Sequence, residues 1–215
     1  MSISNNIIIK KTRLMENISI IEKPDWVSWD EIHNVIWKAH ENNLSNGIIM
    51  SYPSLLGDEI KEKIGKDGKL FIALDGDKVV GTMALSKKTG KRWYCPGDYG
   101  YLCFAAVLSE YSGKGIYRLL YQLAEMTATK MGLTILTRTT NENNARMLRI
   151  SKQEGYYFVE YMACKDHFNI VFVKWLNGCP FPAWYIKMKF LLSKLYLKTR
   201  YKIDSKKGRV KRFGI

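Results

Sequence analysis

The sequence predicts an α/β (α+β) fold, in which strands and flanking helices form one domain that is followed by a C-terminal amphipathic helix. Strand-like and helical hydrophobic patterns follow one another in the order β-α-α-β-β-β-α-β-α-β-β, without an internal repeat. The 215 residues, 47 % of them apolar and 25 % charged, suit one globular domain with an added tail. We expect the domain to cover residues 1–178 and a basic helical extension to cover 179–215.

The first part of the chain is predicted to contain one strand, two helices and a hairpin. Ser28 and Glu31 fit a capping box that opens the first helix. Asp75-Gly76-Asp77 is turn chemistry between two apolar runs, which is typical of a hairpin. The expected elements are the strand Asn17–Glu22, a helix from the Ser28 cap to about Asn42, the helix Asp58–Ile64, and the hairpin strands Leu70–Leu74 and Lys78–Leu85.

The second part is predicted to alternate strands and helices. Lys87–Asp98 is basic and contains glycine and proline, so it is expected to be a loop. Tyr99–Leu108 is mostly apolar, which favours a strand buried on both faces. The later elements are a helix that opens at Tyr111–Tyr117 and ends at Gly132, the strand Leu133–Thr137, the helix Asn144–Gln153 before Gly155, and the strands Tyr156–Met162 and Ile170–Trp175.

The charge balance is strongly basic. The formal net charge is +14, from 34 Lys and Arg against 20 Asp and Glu. This excess suggests an anionic partner, and a nucleic acid, an anionic membrane and a polyphosphate cofactor all satisfy it. No helix-turn-helix, zinc-finger or RNP pattern accompanies the charge, so a nucleic acid is not the expected partner.

Cysteine usage and the N-terminal segment bear on location. The four cysteines are scattered, without a CxxC pair, so neither a metal site nor a disulfide framework is expected. Met1–Arg13 holds a three-residue apolar run, Ile7–Ile9, which is too short for a signal peptide or a spanning helix. The sequence therefore predicts a cytoplasmic protein.

A glycine-rich turn, Ser112-Gly113-Lys114-Gly115, lies between a strand and a helix. Glycines let backbone amides approach a ligand, and the start of a helix favours negative charge, to which Lys114 adds a positive charge. Two interpretations stay open: a diphosphate-binding turn, or only a tight turn. The sequence has no G-x-x-x-x-G-K-[ST] motif, so a P-loop is excluded. The dinucleotide fingerprint G-x-G-x-x-G is not met either, because Leu119 and Leu120 occupy the region of its third glycine.

Two sequence blocks carry a resemblance to a known family. One is Val107, Gly113, Gly115, Ile116, Leu119 and Leu120; the other is Asn144-Ala145-Arg146-Met147-Leu148-Arg149-Ile150 with Gly155-Tyr156. The first is similar to V-x-P-x-x-R-G-x-G-(I/L)-G, the coenzyme A motif of the GNAT superfamily of N-acetyltransferases. The second resembles that superfamily's N-x-x-M/A-x-x-x-(Y/N)-x-x-x-G-F segment. The resemblance covers roughly Asn17 to Trp175.

The resemblance implies a GNAT-like mixed, mostly antiparallel sheet that is splayed at strands 4 and 5 and holds acetyl-CoA, or another acyl-CoA, in the cleft. It implies that backbone groups of Ala106, Val107 and Leu108 pair with the pantetheine arm, and that Asn144 bonds to it. The diphosphate would be held by the amides of Gly113, Lys114, Gly115, Ile116, Tyr117 and Arg118. An acceptor amine, on a small molecule or an amino sugar, would attack the thioester directly.

The chain departs from the family pattern at four positions. Ser109 stands where proline is frequent, and Ser112 where Arg or Gln is frequent. Tyr117 replaces a small residue, and it would either crowd the turn or point into solvent. Ser151 stands where many members have the tyrosine that protonates the leaving thiolate. This last departure leaves a non-catalytic acyl-CoA-binding regulatory module as the alternative to an enzyme.

Several side chains are candidates for acid and base. Asp98, Tyr99 and Tyr101 on or near the central strand and Glu142 after the fifth strand are candidates for the base, and Ser151 holds the position of the acid. His33 and His40 lie seven residues apart on the first helix and so share one face. Packing is the alternative role for the tyrosines and the histidines. Cys103 is expected to be a buried strand thiol and not a nucleophile.

The C-terminal extension is predicted to form a long helix over Ala183–Ile203, followed by a loose basic end, Ser205–Ile215. Lys187, Lys194 and Lys198 share one stripe of this helix, and Trp184, Met188, Leu192 and Leu195 form an adjoining apolar face. Two interpretations stay open: a helix lying on an anionic membrane, or a packing or homodimerisation helix. With a membrane contact, a lipid-linked or surface-polysaccharide sugar becomes a candidate acceptor.

Overall fold

The computed structural model describes residues 17–48, 56–164 and 167–206. The apolar run Ile7–Ile9 and residues 207–215 of the expected basic end lie outside the described residues. The order of strands and helices agrees with the order that the hydrophobic pattern predicts. The elements are β1 Ile18–Glu22, α1 Trp29–Ser45, α2 Gly57–Ile64, β2 Lys69–Asp75, β3 Lys78–Arg92, β4 Cys95–Val107, α3 Ile116–Lys130, β5 Ile135–Asn141, α4 Ala145–Gln153, β6 Tyr157–Ala163, β7 Phe168–Trp175 and α5 Ala183–Lys206.

Seven strands form one sheet in the order β1-β2-β3-β4-β5-β7-β6. Neighbouring strands are antiparallel except for the β4–β5 pair, which is parallel. Helices α1 and α3 pack on the central strands. Their apolar faces, with Ile32 and Ile36 on α1 and Leu120 on α3, are buried against core residues that include Phe71 and Met83. This is the mixed, mostly antiparallel sheet that the sequence predicts.

Local signals in the sequence fix the helix ends. The backbone amide of Glu31 donates to Ser28 Oγ at 3.1 Å, as expected for the cap of α1. Asn144 caps α4 in the same way, since its side-chain oxygen accepts from the amide of Met147 at 3.1 Å. The amide of Leu133 reaches the carbonyl of Ala128 at 3.0 Å around Gly132, which closes α3.

The loop predicted at Lys87–Asp98 is wrong. These residues extend the β3–β4 hairpin: Lys87 pairs with Gly100 and Arg92 with Cys95, and the turn lies at Trp93-Tyr94. Polar side chains link the two strands of this extension: Asp98 on β4 accepts a hydrogen bond from Thr89 on β3 at 2.7 Å and forms an ion pair with Lys87 on β3 at 2.8 Å. Many residues of this extension, such as Lys87, Thr89 and Lys91, are polar and exposed, so its hydropathy resembles that of a loop.

Strand β5 is displaced from its predicted position. It begins at Ile135 and not at Leu133, and it continues past Thr137 to Asn141. The polar residues of its second half are held by β7, where Arg138 pairs with Phe172 and Asn141 with Asn169. Main-chain pairing therefore extends this strand beyond its apolar residues.

The C-terminal helix α5 covers strand β6 at the edge of the sheet. Ile186 is buried, and the ring of Phe190 lies 5.9 Å from that of Phe158. Ser193 Oγ accepts from the backbone amide of Tyr161 at 3.0 Å. Among the described residues, no helix is long and apolar enough to cross a membrane.

Candidate functional site

The β4–β5 pair divides the sheet. The two parallel strands are in register at two positions, Gly100 with Leu136 and Tyr101 with Thr137. Beyond them β4 continues along β3 and β5 continues along β7. Because each strand follows a different neighbour, the two diverge and open a cleft. This confirms the sheet splayed at strands 4 and 5.

The glycine-rich turn lies where β4 leaves the sheet. A short 3₁₀ turn over Ser109–Tyr111 is followed by Gly113 with φ 79° and Gly115 with φ 80°. Both angles lie in the left-handed region that glycine adopts without strain. A Cβ atom at either position would meet no atom within 4 Å. The glycines are therefore needed for backbone conformation, and the space in front of them is open.

Helix α3 begins at Ile116 with unpartnered main-chain donors. Its first intrahelical bond runs from the amide of Leu119 to the carbonyl of Gly115 at 3.2 Å. The three preceding amides, Ile116–Arg118, have no intrahelical acceptor, as at any helix start. The N-cap is Gly115, which has no side chain to satisfy them, and the first turn carries no acidic residue. This helix start can therefore bind an anion.

Cationic side chains surround the turn. Arg146 reaches from α4 across the cleft and donates to Ser112 Oγ at 3.0 Å. Lys114 is exposed, with its Nζ 4.5 Å from the centre of the Tyr111 ring. Arg118 is exposed on the first turn of α3. The positive charge predicted at Lys114 is thus shared among three side chains from two helices and a turn.

The cleft has a volume of about 1450 Å³ and extends from α1 to the groove between α3 and α4. Its walls include Ala106 and Val107 of β4 and the buried side chain of Asn144. Leu108 does not line it: its side chain is buried and its amide donates to the carbonyl of Val80 at 3.0 Å. Of the three residues expected along the pantetheine arm, Ala106 and Val107 of β4 therefore reach the cleft, and Leu108, just after β4, belongs to the core.

Tyr117 takes neither of the two directions considered from the sequence. Its side chain points into the cleft floor, where its hydroxyl accepts from Arg138 Nη1 at 2.5 Å. Arg138 is 5 % exposed, pairs with Glu154 at 2.7 Å and lies 4.0 Å from the centre of the Tyr156 ring. Burial raises the pKa of Tyr117 above its ordinary range, so its hydroxyl stays protonated. The large side chain thus joins α3 to β5 below the turn.

The opposite end of the cleft is built by α1 and an irregular part of β4. Between Thr82 and Ala84 the β3–β4 register shifts, and Phe104 of β4 has a φ of 52°, which a non-glycine residue rarely adopts. The hydroxyl of Thr82 donates to the carbonyl of Phe104 at 2.7 Å and supports this bulge. At the bulge, Ala105 and the buried Phe104 form part of the cleft wall.

His40 on α1 lies against this bulge. The ring hydrogen-bonds with the backbone of Ala105, and its Nδ1 lies 3.0 Å from Asn43 Nδ2. Burial lowers the pKa of His40 to about 4, and the bond to Ala105 opposes the shift. The ring is therefore neutral at pH 7. His40 and Asn43 both line the cleft, whereas His33 does not.

The side chains predicted for acid–base chemistry are not brought together at the cleft. Tyr99 packs in a satellite cluster with Trp93, and Asp98 pairs with Lys87. Tyr101 does not line the cleft itself, but its hydroxyl lies 2.9 Å from Oγ1 of Thr139, which does. The lining residues in the described part of the chain include none of Tyr99, Tyr101, Glu142 and Ser151.

Glu142 and Ser151 are each engaged elsewhere. Glu142 accepts from the hydroxyl of Tyr161 and pairs with Lys198 at 3.3 Å. Ser151 is fully buried, and its hydroxyl donates to the carbonyl of Met147 at 2.7 Å. In this structure neither side chain faces the cleft.

Cys103 lines the cleft as a protonated thiol. Burial raises the pKa of Cys103 to about 12, so the nucleophilic thiolate is scarce at neutral pH. This agrees with the expectation that it packs in a strand and does not attack a thioester.

Sequence reasoning did not assign functional roles to three cleft residues: Arg138 on the floor, Arg146 opposite the turn, and Asn43 beside the candidate His40 at the far end. Arg146 lies inside the second sequence block, so its charge beside a phosphate-binding motif was a usable signal. Asn43 follows His40 by three residues on one helix face, which predicts that they are neighbours. Nothing in the sequence near Arg138 shows that it is buried.

A split sheet, exposed amides at a helix start and a cleft between them define a class of protein that binds an anionic ligand along a strand edge. The chain belongs to the acetyltransferase (GNAT) family, whose model matches residues 29–156. No curated protein matches the chain significantly.

Solved structures share the fold at low sequence identity. An acetyltransferase from Streptococcus agalactiae has a TM-score of 0.58 and 18 % identity, over 75 % of this chain and 99 % of its own. A GNAT acetyltransferase from Elizabethkingia anophelis, with acetyl-CoA bound, has 0.55 and 14 %, over 75 % and 99 %. A Salmonella typhimurium protein described as a putative acetyltransferase with acetyl-CoA has 0.56 and 14 %, over 77 % and 98 %.

Proposed function

We propose that this chain transfers an acetyl group from acetyl-CoA to a primary amine of a small molecule or an amino sugar. The observation that carries the proposal is that the amides of Ile116–Arg118 and the open edge of β4 face the same cleft. An extended ligand with an anionic middle and an acyl end matches this arrangement. Two structural neighbours from the same fold contain acetyl-CoA, and family membership supports the same donor here.

The turn end of the cleft binds the diphosphate in this proposal. The amides of residues 116–118 donate to it, and Arg146 adds a positive charge from the other wall. The pantetheine arm lies along β4, where Ala106 and Val107 offer main-chain groups. Asn144 uses its oxygen to cap α4, which leaves its NH₂ group to donate to the ligand.

The acceptor amine enters at the end that His40, Asn43 and the Phe104 bulge form. The amine nitrogen attacks the thioester carbonyl, the C–N bond forms, and the C–S bond breaks to release coenzyme A. The nitrogen must lose a proton in this sequence. Neutral His40 is a weak base, because its pKa is about 4, and its ring is held by Ala105 and Asn43. We propose that it shapes the wall beside the amine and that the proton passes to water.

Release of free thiol from acetyl-CoA tests the activity. The purified full chain is incubated with acetyl-CoA and a panel of amines that includes amino sugars and a control without acceptor. Amine-dependent thiol release, with an acetylated product seen by mass spectrometry, supports the proposal. Absence of turnover with every amine, together with absence of coenzyme A binding in calorimetry, contradicts it.

The burial of Ser151 favours a second candidate, a non-catalytic acyl-CoA-binding regulatory module. Its hydroxyl is committed to Met147 and does not reach the cleft to protonate a leaving thiolate. This alternative predicts tight binding of acetyl-CoA with no thiol release for any acceptor. The calorimetric and thiol measurements, made on one preparation, separate the two candidates. A cytoplasmic location remains a prediction from cysteine usage.

A further inference from the structure

Helix α5 carries apolar side chains on two opposite faces. Its inner face includes Ile186, Phe190 and Leu197, which pack against the domain. The outer face carries five apolar side chains that follow one another along the helix at spacings of 4, 3, 1 and 3 residues. At about 100° of rotation per residue they form one stripe, which lies about 200° around the helix axis from the inner set. This outer stripe consists of Trp184, Met188, Leu191, Leu192 and Leu195, with 66, 41, 52, 55 and 67 % of their surfaces exposed.

The outer stripe is not needed to hold α5 in place. The inner face is anchored by buried Ile186, by the ring of Phe190 beside Phe158, and by Ser193 Oγ accepting from Tyr161. Scattered exposed apolar residues are ordinary, but a contiguous stripe of five large side chains marks an interaction surface.

The charges that border the outer stripe define its partner. Along the helix wheel, Lys187, Lys194 and Lys198 lie on one border, and Lys189 and Arg200 on the other. Residues 183–203 contain six cations, counting Lys202, and no acidic residue. An apolar stripe with cations on both borders is complementary to a surface that is apolar inside and anionic at its rim, as an acidic phospholipid layer is.

We propose that the outer stripe of α5 docks the protein on an anionic lipid bilayer. The helix, 24 residues and about 36 Å long, lies parallel to the surface with its five apolar side chains below the headgroups. A second copy of the chain is a poorer occupant, because two such stripes face to face would bring lysine and arginine borders together. Docking is independent of the acetyl-transfer proposal.

One border of the outer stripe also contacts the sheet. Lys198 on one border of the stripe pairs with Glu142, which directly follows β5. The Nζ atoms of Lys194 and Lys198 lie 5.6 and 5.5 Å from the centre of the Tyr161 ring. The border that meets the headgroups is therefore held against Tyr161 of β6 and Glu142 after β5.

Flotation of the full chain with vesicles tests the proposal. One set contains phosphatidylcholine with phosphatidylglycerol, and the other contains phosphatidylcholine alone. We expect binding to the anionic vesicles that weakens with added salt, and a blue shift of fluorescence that Trp184→Phe removes. The double variant Leu192→Glu/Leu195→Glu is expected to reduce the partition coefficient at least about tenfold.

The matched control is Leu56→Glu, because Leu56 is 68 % exposed but lies before α2 and outside the stripe. It is expected to bind vesicles like the unaltered chain. Circular dichroism and acetyl-CoA binding check that the double variant is folded. Equal vesicle binding by the double variant and the unaltered chain overturns the proposal, since charge alone then carries the binding. Absence of vesicle binding, or a dimer that the double variant dissociates without any vesicle binding, also overturns it.

Discussion

The two ends of the cleft are built from different parts of the chain. At the turn end the groups proposed to bind the ligand are main-chain amides, placed by Gly113 and Gly115 within one continuous segment. At the far end the cleft is lined by side chains, His40 and Asn43, which α1 brings against a bulge in β4. The first end depends on local backbone conformation, and the second depends on how separate elements pack.

This difference determines how each end responds to change. Main-chain amides are kept by every substitution that preserves the backbone conformation, so we expect the turn end to accept residues such as Ser109 and Ser112 in place of the family's usual ones. A side-chain constellation is lost with one residue. We therefore expect side-chain substitutions to have larger effects at the far end than at the turn, and the predictions below separate the two contributions.

The largest expected effect is on cofactor binding in a Gly115→Trp variant. The indole would occupy the open space before the amides of Ile116–Arg118, each of which is worth about 1.5–3 kcal/mol to a charged ligand. We expect acetyl-CoA affinity in calorimetry to fall at least about a thousandfold. Gly132→Trp is the control, since that glycine closes the other end of α3 with φ 74° and the same open space. Equal losses in both variants would contradict the placement of the binding turn.

The second effect is on stability, in an Arg138→Met variant. Loss of the guanidinium leaves Glu154 half-buried and without its 2.7 Å partner. Breaking a buried pair costs about 3–5 kcal/mol, and we expect the lower end because Lys174 also acts on Glu154. Urea unfolding measures it. The double variant Arg138→Met/Glu154→Leu, which removes both charges, is expected to recover most of the loss.

The same contrast between local and long-range determinants explains what the sequence predicts about the fold. Element order, the Ser28 and Asn144 caps and the glycine turn are local, and all appear in the structure. The β3–β4 extension was missed because Lys87 and Gly100, which pair across it, are joined by main-chain bonds that leave no mark on hydropathy.

The site divides in the same way. The turn and Asn144 lie where the motif blocks place them, because each block is one segment with its own conformation. Tyr117 could not be oriented from the sequence, since its partner Arg138 is on another element. Ser151 and Glu142 were chosen by position alone, and their partners Met147 and Tyr161 turn them away from the cleft.

The third effect is a pH dependence that belongs to the far end. The folded protein holds His40 neutral with a pKa of about 4, against 6.5 for an exposed ring. The unfolded chain therefore binds more protons in this window, and stability that is complete above about pH 6.5 is lost as pH falls toward 4, by about 3 kcal/mol. Urea unfolding at several pH values is expected to show this slope in the unaltered chain and in His33→Gln. His40→Gln is expected to remove it, and an unchanged slope there would assign the effect to another group.

The smallest effect tests whether the turn end is built by main chain alone. Arg146 adds an exposed cation opposite the amides, and Arg146→Ala is expected to weaken acetyl-CoA binding about fivefold, near 1 kcal/mol, because exposed charges are screened by solvent. The loss is expected to shrink further at 0.5 M salt, whereas that of Gly115→Trp is expected to persist. Arg149→Ala is the control, an exposed arginine on the same helix α4 that does not line the cleft. A loss for Arg146→Ala as large as that for Gly115→Trp would mean that side chains hold the diphosphate at this end as well, and the contrast between the two ends would disappear.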